Sequence, residues 1–376
     1  MRKVAVVHEW LASCDGSEKV VQQILNIYPH AHLYSLVDFL PVHQRAFIQE
    51  KSVTTSFIQQ LPFARRSFRN YLPLMPLAVE QFDLSTYDLV ISSHHAVAKG
   101  VITRPDQLHV CYVHTPLRYG WEFQHQYLRH ARLETGAKSW LVRAVLHYLR
   151  LWDVISANRV DCYAANSRYV ARRIEKTYRR SANVIYPPVD TQRFVADAKR
   201  DNFYLTVSRF VPYKRLDLII EAFNQLGLPL VVIGDGDSRS TLEKAAKHNI
   251  QFLGQQPDNV VEDYMQRCRG FVFSSEEDFG ITPVEAQAAG APVVAYAKGG
   301  QAETVVHSET GLLFLEQTVE SLTDAVRQLH SREAIFEPKV LRANAEKFAA
   351  PRFRARFEAF VEQAWAQFHA GNITGM

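Results

Sequence analysis

The chain has 376 residues, of which 47% are hydrophobic and 22% charged. This is the balance of an ordinary globular protein of two or at most three domains, at roughly 100–200 residues each. The N-terminal stretch from Met1 to Trp10 meets a charge too soon for a signal peptide, and no run approaches the ~20 apolar residues of a membrane span, so secreted, membrane-spanning and fibrous classes are not expected. Cys14, Cys111, Cys162 and Cys268 are widely spaced, which predicts neither a disulfide framework nor a cysteine zinc site and suits a reducing compartment. The net charge of +4 conceals an asymmetry. Residues 1–190 hold 23 Lys and Arg against 15 Asp and Glu, a surplus of 8, and the remainder holds 20 against 24. Either the two halves simply have different surfaces, or the first half meets something anionic such as phosphate, nucleic acid or a membrane.

In chain order, Lys3–Val7, His32–Ser35, Asp88–Ser92, Leu108–Val113 and Asp161–Ala165 read as strands. Ser17–Ile27, Lys138–Asn158 and Arg168–Tyr178 read as helices, while residues 39–86, rich in Pro, Arg and aromatics, resist assignment. Within Lys138–Asn158 the residues Leu141, Val145, Tyr148, Trp152 and Ile155 recur at helical spacing, which predicts a stripe packed into the core. Tyr186-Pro187-Pro188-Val189-Asp190 breaks any regular element midway. Beyond it the strands Phe203–Val207, Leu230–Ile233, Gln251–Leu253, Gly270–Phe273 and Pro292–Tyr296 alternate with helices Leu216–Leu226, Ser240–His248, Val260–Cys268 and Pro283–Ala289. Apolar strands alternating with helices predict parallel sheets covered on both faces, with ligands at the carboxyl ends of the strands.

Two segments carry chemistry. Arg209 follows the strand Phe203–Val207 and Lys214 precedes the next helix, a placement suited to clamping a diphosphate. After Gly270–Phe273 comes Ser274-Ser275-Glu276-Glu277-Asp278-Phe279-Gly280-Ile281-Thr282-Pro283-Val284-Glu285. Glu277 is placed to accept hydrogen bonds from sugar hydroxyls, and the backbone N–H groups of Phe279, Gly280, Ile281 and Thr282 to face an anion. Thr282 and Glu285 also have the spacing of a capping box, with Pro283 at the first helical position.

The spacing Glu277-x7-Glu285 behind Arg209 and Lys214 resembles the retaining glycosyltransferases of family four, which have the GT-B fold. So do His114-Thr115-Pro116-Leu117-Arg118-Tyr119-Gly120-Trp121-Glu122, Asn166-Ser167-Arg168-Tyr169, Tyr186-Pro187-Pro188-Val189-Asp190 and Ala291-Pro292-Val293-Val294. Within that family the chain resembles bacterial mannosyltransferases of O-antigen and exopolysaccharide assembly.

The resemblance implies an α/β architecture of two doubly wound Rossmann-like domains facing across a cleft. Residues 1–186 would form an acceptor-side domain, 187–195 a linker, 196–350 a nucleotide-sugar domain, and 351–376 a C-terminal helix packing back on the first. It implies that Arg209 and Lys214 hold the donor diphosphate, Glu277 the donor sugar and Glu285 the ribose. His114 would line the sugar site and Gly16 the loop after the first strand, where the family's usual two glycines are here Asp15-Gly16. Gln256 and Asp258 lie where the family cradles the base. His95, Lys99, Arg118 and Tyr119 are expected to approach the acceptor, a glycan or polyprenyl-diphosphate-linked oligosaccharide. No cofactor, metal or nucleic acid is expected. The protein would work in the cytoplasm, peripherally on the inner face of the plasma membrane, whose anionic lipids the basic half would meet. Asp235-Gly236-Asp237 has the Asp-x-Asp form of a metal motif, but it sits where GT-B chains have a glycine turn, here Gly234 and Gly236.

Overall fold

A computed structural model describes residues 2–13, 16–332 and 335–371. Cys14 lies outside the described residues, whereas Cys111, Cys162 and Cys268 are free and buried. The chain divides into two compact units, Met1–Tyr186 with Phe353–Met376, and Pro187–Arg352. The Pro-rich segment 187–195 therefore groups with the second unit.

The first unit is built on seven strands: β1 (Val4–His8), β2 (His32–Ser35), β3 (Val53–Thr55), β4 (Leu89–His94), β5 (Leu108–Val113), β6 (Cys162–Ala165) and β7 (Asn183–Val184). Their order is β3-β2-β1-β4-β5-β6-β7 and every pairing is parallel. Strands β1, β4, β5 and β6 are buried along their whole length, the mark of a sheet covered on both faces. The second unit has six parallel strands: β8 (Tyr204–Val207), β9 (Leu230–Ile233), β10 (Ile250–Gly254), β11 (Gly270–Phe273), β12 (Val293–Tyr296) and β13 (Gly311–Phe314), in the order β10-β9-β8-β11-β12-β13. Strand order reverses at β1/β4 and at β8/β11. Such switch points open a crevice at the carboxyl ends of the strands.

Three strands escape sequence reading. β3 and β7 are short edge strands, and β13 follows a turn inside a segment with no helical pattern. Residues 39–86 hold β3 together with short helices at Val42–Ile48, Phe57–Gln60, Ala64–Ser67, Phe68–Leu74 and Met75–Glu80. The terminal helix Ala350–His369 sends Phe353, Phe357, Phe360 and Val361 into the core formed by β1, β4 and β5.

The helix Ala137–Ala157 corrects two expectations together. Its inward residues are Ser139, Leu146, Leu149, Trp152, Asp153 and Ser156. Leu141, Tyr148 and Ile155 of the expected core stripe are 67%, 46% and 61% exposed. The cause is Lys99, expected at the acceptor but fully buried. Its Nζ lies 2.8 Å from Asp153 Oδ1 and donates to Ser156 Oγ and the Asp153 carbonyl, each at 2.7 Å. Asp153 also accepts from Trp121 Nε1 and the Tyr178 hydroxyl. A buried ammonium needs this set of oxygens, so Asp153 and Ser156 face inward beside Trp152, while Leu141, Tyr148 and Ile155 of the expected stripe face outward.

Removing one partner of a buried ion pair strands the other's charge, at a cost of about 3–5 kcal/mol. Lys99→Met should therefore lower unfolding free energy by about that amount in urea titrations. A variant as stable as the parent would remove Lys99 from the structural role.

Candidate active site

In the second unit the loops after β8 and β11 bring the expected pair together. Lys214 Nζ lies 2.6 Å from Glu277 Oε1, both side chains mostly buried. The ammonium also sits over the rings of Tyr213 and Phe273, at 5.6 and 6.0 Å from their centroids. Arg209 is exposed, and its guanidinium donates to the Tyr213 hydroxyl at 3.2 Å. The loop bearing Glu277 is held by three residues that sequence reasoning passed over. Gly300 N–H donates to the Glu277 carbonyl at 2.8 Å. A Cβ at Gly299 would stand 2.4 Å from that same carbonyl, and one at Gly300 would stand 2.3 Å from Phe279 Cα. Gln301 is fully buried and its Nε2 donates to the carbonyls of Ser275, Tyr296 and Lys298. The Gly-Gly pair followed by glutamine was the available signal.

The capping-box reading of Thr282 and Glu285 is wrong. The helix Ile281–Ala288 is capped by Gly280 in the left-handed region, φ 82°, which puts Thr282 and Pro283 already inside the first turn. Glu285 is instead held by Arg193, whose Nη2 donates to its Oε1 at 2.8 Å. Phe279 is buried against Phe348, so only its backbone can face a ligand. Gln256 turns its amide onto the Leu253 carbonyl at 2.6 Å, while the Asp258 side chain is 96% exposed at the start of the helix Asp258–Arg267. Gly234 and Gly236 serve backbone contact: a Cβ at either would collide with the Ser208 or Phe210 carbonyl. Asp235 pairs with Arg239 at 3.0 Å. Among the described residues, no group of three or more His, Cys, Asp or Glu is placed to hold a metal ion.

In the first unit, Gly16 opens the helix Gly16–Ile27. His114 follows β5, and its Nε2 lies 2.8 Å from Ser93 Oγ. His95, Arg118 and Tyr119 line one cavity of about 300 Å³ with Trp10, Arg69 and Tyr127, and Lys99 is absent from its wall. Trp10 meets His95 edge-on at 4.6 Å between centroids. Glu9, unnoticed in the sequence, is fully buried and accepts from the amides of His95, Ala96, Val97 and Ala98 at 2.7–3.0 Å. Burial opposes its charge, but these hydrogen bonds and the neighbouring His94 and His95 hold it well below the usual carboxylate range.

Comparison with known proteins fits this geometry. The family model described as glycosyl transferases group 1 matches residues 189–348, and that described as glycosyltransferase family 4 matches residues 32–193. An uncharacterized glycosyltransferase of Methanocaldococcus jannaschii is 30% identical over 207 residues, 54% of this chain and 57% of that protein. The GDP-mannose-dependent alpha-(1-6)-phosphatidylinositol monomannoside mannosyltransferase of Mycobacterium tuberculosis is 31% identical over 195 residues, 43% of this chain and 51% of its own. The chain thus spans about half the length of the curated relatives it matches. The crystal structure of Anabaena HepE in complex with UDP superposes with a TM-score of 0.69 at 16% identity, covering 96% of this chain and 100% of that one, and so shares the fold. The two matched regions together take in most of the chain, and the two parallel-sheet units are those of GT-B enzymes. The chain belongs to the family-four glycosyltransferases.

Burial lowers the proton affinity of several histidines here. His95 and His109 are each pushed from the ordinary 6.5 to about 4, and His94 and His114 are also lowered. The unfolded chain takes up these protons near pH 6.5 and the folded one does not, so their stability contribution is complete above that pH and lost as pH falls toward 4. Urea midpoints should be nearly level from pH 7.5 to about 6.5 and decline from there to pH 5. Constant midpoints across that range would mean that these rings are not held neutral by the fold.

Proposed function

We propose that this protein is a retaining hexosyltransferase that moves a hexose from a nucleotide sugar, GDP-mannose first, to a glycan or polyprenyl-diphosphate-linked acceptor in the assembly of bacterial surface polysaccharide. The observation that carries the reading is the contact of Lys214 with Glu277 at the carboxyl edge of a parallel sheet, beside the N-terminus of the helix Ile281–Ala288. Arg209 and Lys214 stabilise the leaving nucleotide diphosphate as negative charge develops, and Glu277 accepts hydrogen bonds from the donor sugar. Departure and attack share one face of an oxocarbenium-like sugar, and the departing phosphate takes the acceptor's proton. Glu285 receives the ribose, with Asp258 and Gln256 beside the base. The aromatic cavity with Arg69, His95, Arg118 and Tyr119 receives the acceptor, its rings stacking on sugar and its guanidiniums meeting phosphate.

GDP-mannose is supported by the GDP-mannose-dependent relative of Mycobacterium tuberculosis. The UDP bound in the Anabaena structure favours a UDP-sugar donor as the second reading. Thermal shift with GDP-, UDP- and dTDP-sugars, followed by transfer of labelled donor to a lipid-linked acceptor, separates them. Epimerised donor without transfer would overturn both.

A lipid-borne acceptor places the enzyme at the inner face of the plasma membrane. No helix among the described residues is long and apolar enough to cross a membrane. The outward face of the helix Ala137–Ala157 instead carries Trp140, Leu141, Tyr148, Leu151 and Ile155, all exposed, with Arg143 and Arg150 along one border. An apolar helix face flanked by cations suits the headgroup region of an anionic monolayer.

Replacing Arg209 or Lys214 with Ala should cost roughly 10²–10³ in transfer rate, on the scale of one lost donor to a developing oxyanion. Chelators should leave the parent enzyme active, because these fixed cations neutralise the leaving group. Near-normal turnover in either variant, or silencing by EDTA with recovery on manganese, would defeat the clamp. In flotation assays the protein should bind vesicles containing anionic lipid and lose most of that binding at high salt. Equal recovery on neutral and anionic vesicles would reduce the basic half to an ordinary surface.

A further inference from the structure

We infer that Arg173 is a positioning residue for acceptor binding: it clasps both ends of the loop of residues 114–122 and so holds Arg118 and Tyr119 in the wall of the first unit's aromatic cavity. The acceptor role rests on the function proposed above; the clasp does not. Two motifs that stand apart in the sequence meet here, the loop after β5 and Asn166-Ser167-Arg168-Tyr169 after β6. These strands are parallel neighbours, so the segments that follow them lie side by side. Asn166 N–H donates to the Val113 carbonyl at 3.3 Å, and its side-chain amide donates to the His114 carbonyl at 2.8 Å. Ser167 caps the helix Arg168–Tyr178, its Oγ accepting from the Val170 N–H at 3.0 Å. That helix buries Val170, Arg173 and Ile174 together, at the three- and four-residue spacing of one face.

A guanidinium on a buried helix face needs acceptors. Arg173 is 8% exposed; its Nη1 donates to Thr115 Oγ1 at 2.7 Å and its Nη2 pairs with the Glu122 carboxylate. The Thr115 hydroxyl gives its own hydrogen to the Pro116 carbonyl at 3.1 Å, so its oxygen is free to accept. One planar fork thus joins the beginning of the loop to its end, which the single point charge of an ammonium does not do. Between these anchors Leu117 is buried, and a Cβ at Gly120 would stand 2.7 Å from Leu117 Cδ2. Arg150 Nη1 donates to the Gly120 carbonyl at 3.0 Å and Trp121 Nε1 to Asp153 at 2.8 Å. With the loop fixed at its ends and its middle, Thr115, Arg118 and Tyr119 are its contribution to the cavity wall. A loop ordered before its ligand arrives spares binding the entropy of ordering it. Loss of the clasp therefore weakens acceptor binding and leaves donor binding and the chemical step alone.

The clasp is read in the free protein by amide hydrogen exchange. The amides of Gly120, Trp121 and Phe123 are bonded within the loop to the carbonyls of Leu117 and Arg118. In Arg173→Gln they should exchange about tenfold faster, the scale of one lost hydrogen bond to a charged group, while the amides of β5 keep their parental rates. Arg173→Lys, which keeps the charge but not the fork, should recover only part of the protection. If Arg173→Gln does not fold, Glu122→Ala, at the more exposed end of the clasp, reads the same amides. Unchanged exchange there overturns the clasp. With a lipid-linked acceptor, Arg173→Gln should raise the acceptor KM about tenfold and leave kcat and the donor KM within about twofold of the parent. A general loss of fold would instead lower kcat through the inactive fraction and leave both KM values unchanged. A lower kcat at a parental acceptor KM overturns the positioning role. Faster loop exchange in a protein that transfers from no nucleotide sugar leaves the clasp standing and removes the transferase reading.

Discussion

One carboxylate determines much of the first unit. Glu9 lies just past β1, away from water, and its charge is balanced by the amides of residues 95–98 just past β4 and by His94 Nδ1 at 3.3 Å. A carboxylate accepting several backbone N–H groups is strongly favoured in its charged form, so this turn has little freedom to move. Held in place, the turn points His95 toward the aromatic cavity and drives Lys99 into the interior. The buried ammonium demands Asp153 and Ser156, and those two set the rotation of the helix Ala137–Ala157. An apolar stripe on the protein surface is therefore traceable to a glutamate at the other end of the chain of contacts.

The second unit solves the same problem of shaping loops at a sheet edge by omission of side chains. Gly234 and Gly236 let the β9 turn lie against the carbonyls of Ser208 and Phe210, which shapes the segment carrying Arg209. Gly299 and Gly300 do the same for the loop carrying Glu277, and Gln301 closes the gap with three carbonyl contacts. Charge arranges the first unit and close backbone approach arranges the second. Both leave polar residues at the carboxyl edge of a switch point.

These devices explain what the sequence reveals and what it hides. Strands such as Val4–His8, Leu108–Val113 and Gly270–Phe273 are legible because burial on both faces makes them unbroken apolar runs. Arg209, Lys214 and Glu277 are legible because they follow such runs directly, and the structure brings Lys214 and Glu277 into contact. Lys99 is misread because a sequence shows a cation but not the carboxylate 54 positions away that neutralises it. The helix Ala137–Ala157 is misread for the same reason: its inward face is polar in part, so apolar periodicity selects the wrong stripe. Thr282-Pro283-Val284-Glu285 satisfies a local rule that loses to a left-handed Gly280, which starts the helix earlier.

The contact between Lys214 and Glu277 bears on how such a site treats a dianionic ligand. As it stands, the ammonium spends much of its field on a carboxylate 2.6 Å away, and Arg209 is the adjoining cation. Arg209, Lys214 and Glu277 together carry one positive charge, less than a diphosphate brings. Full neutralisation in the ground state is thus not what the arrangement offers. The remaining favourable potential comes from the N–H groups at the start of the helix Ile281–Ala288, which act over one turn and favour anions. If a diphosphate binds here as proposed, a site that slightly under-neutralises it gains most as charge accumulates on the leaving oxygen, because favourable field is then added where it develops. If Glu277 at the same moment accepts hydrogens from the sugar, its own negative charge is partly satisfied there and its hold on Lys214 loosens. Sugar recognition and leaving-group stabilisation are then coupled through one ion pair. In the function proposed above, that coupling would give a physical reason for a carboxylate to lie so close to a cation that meets phosphate.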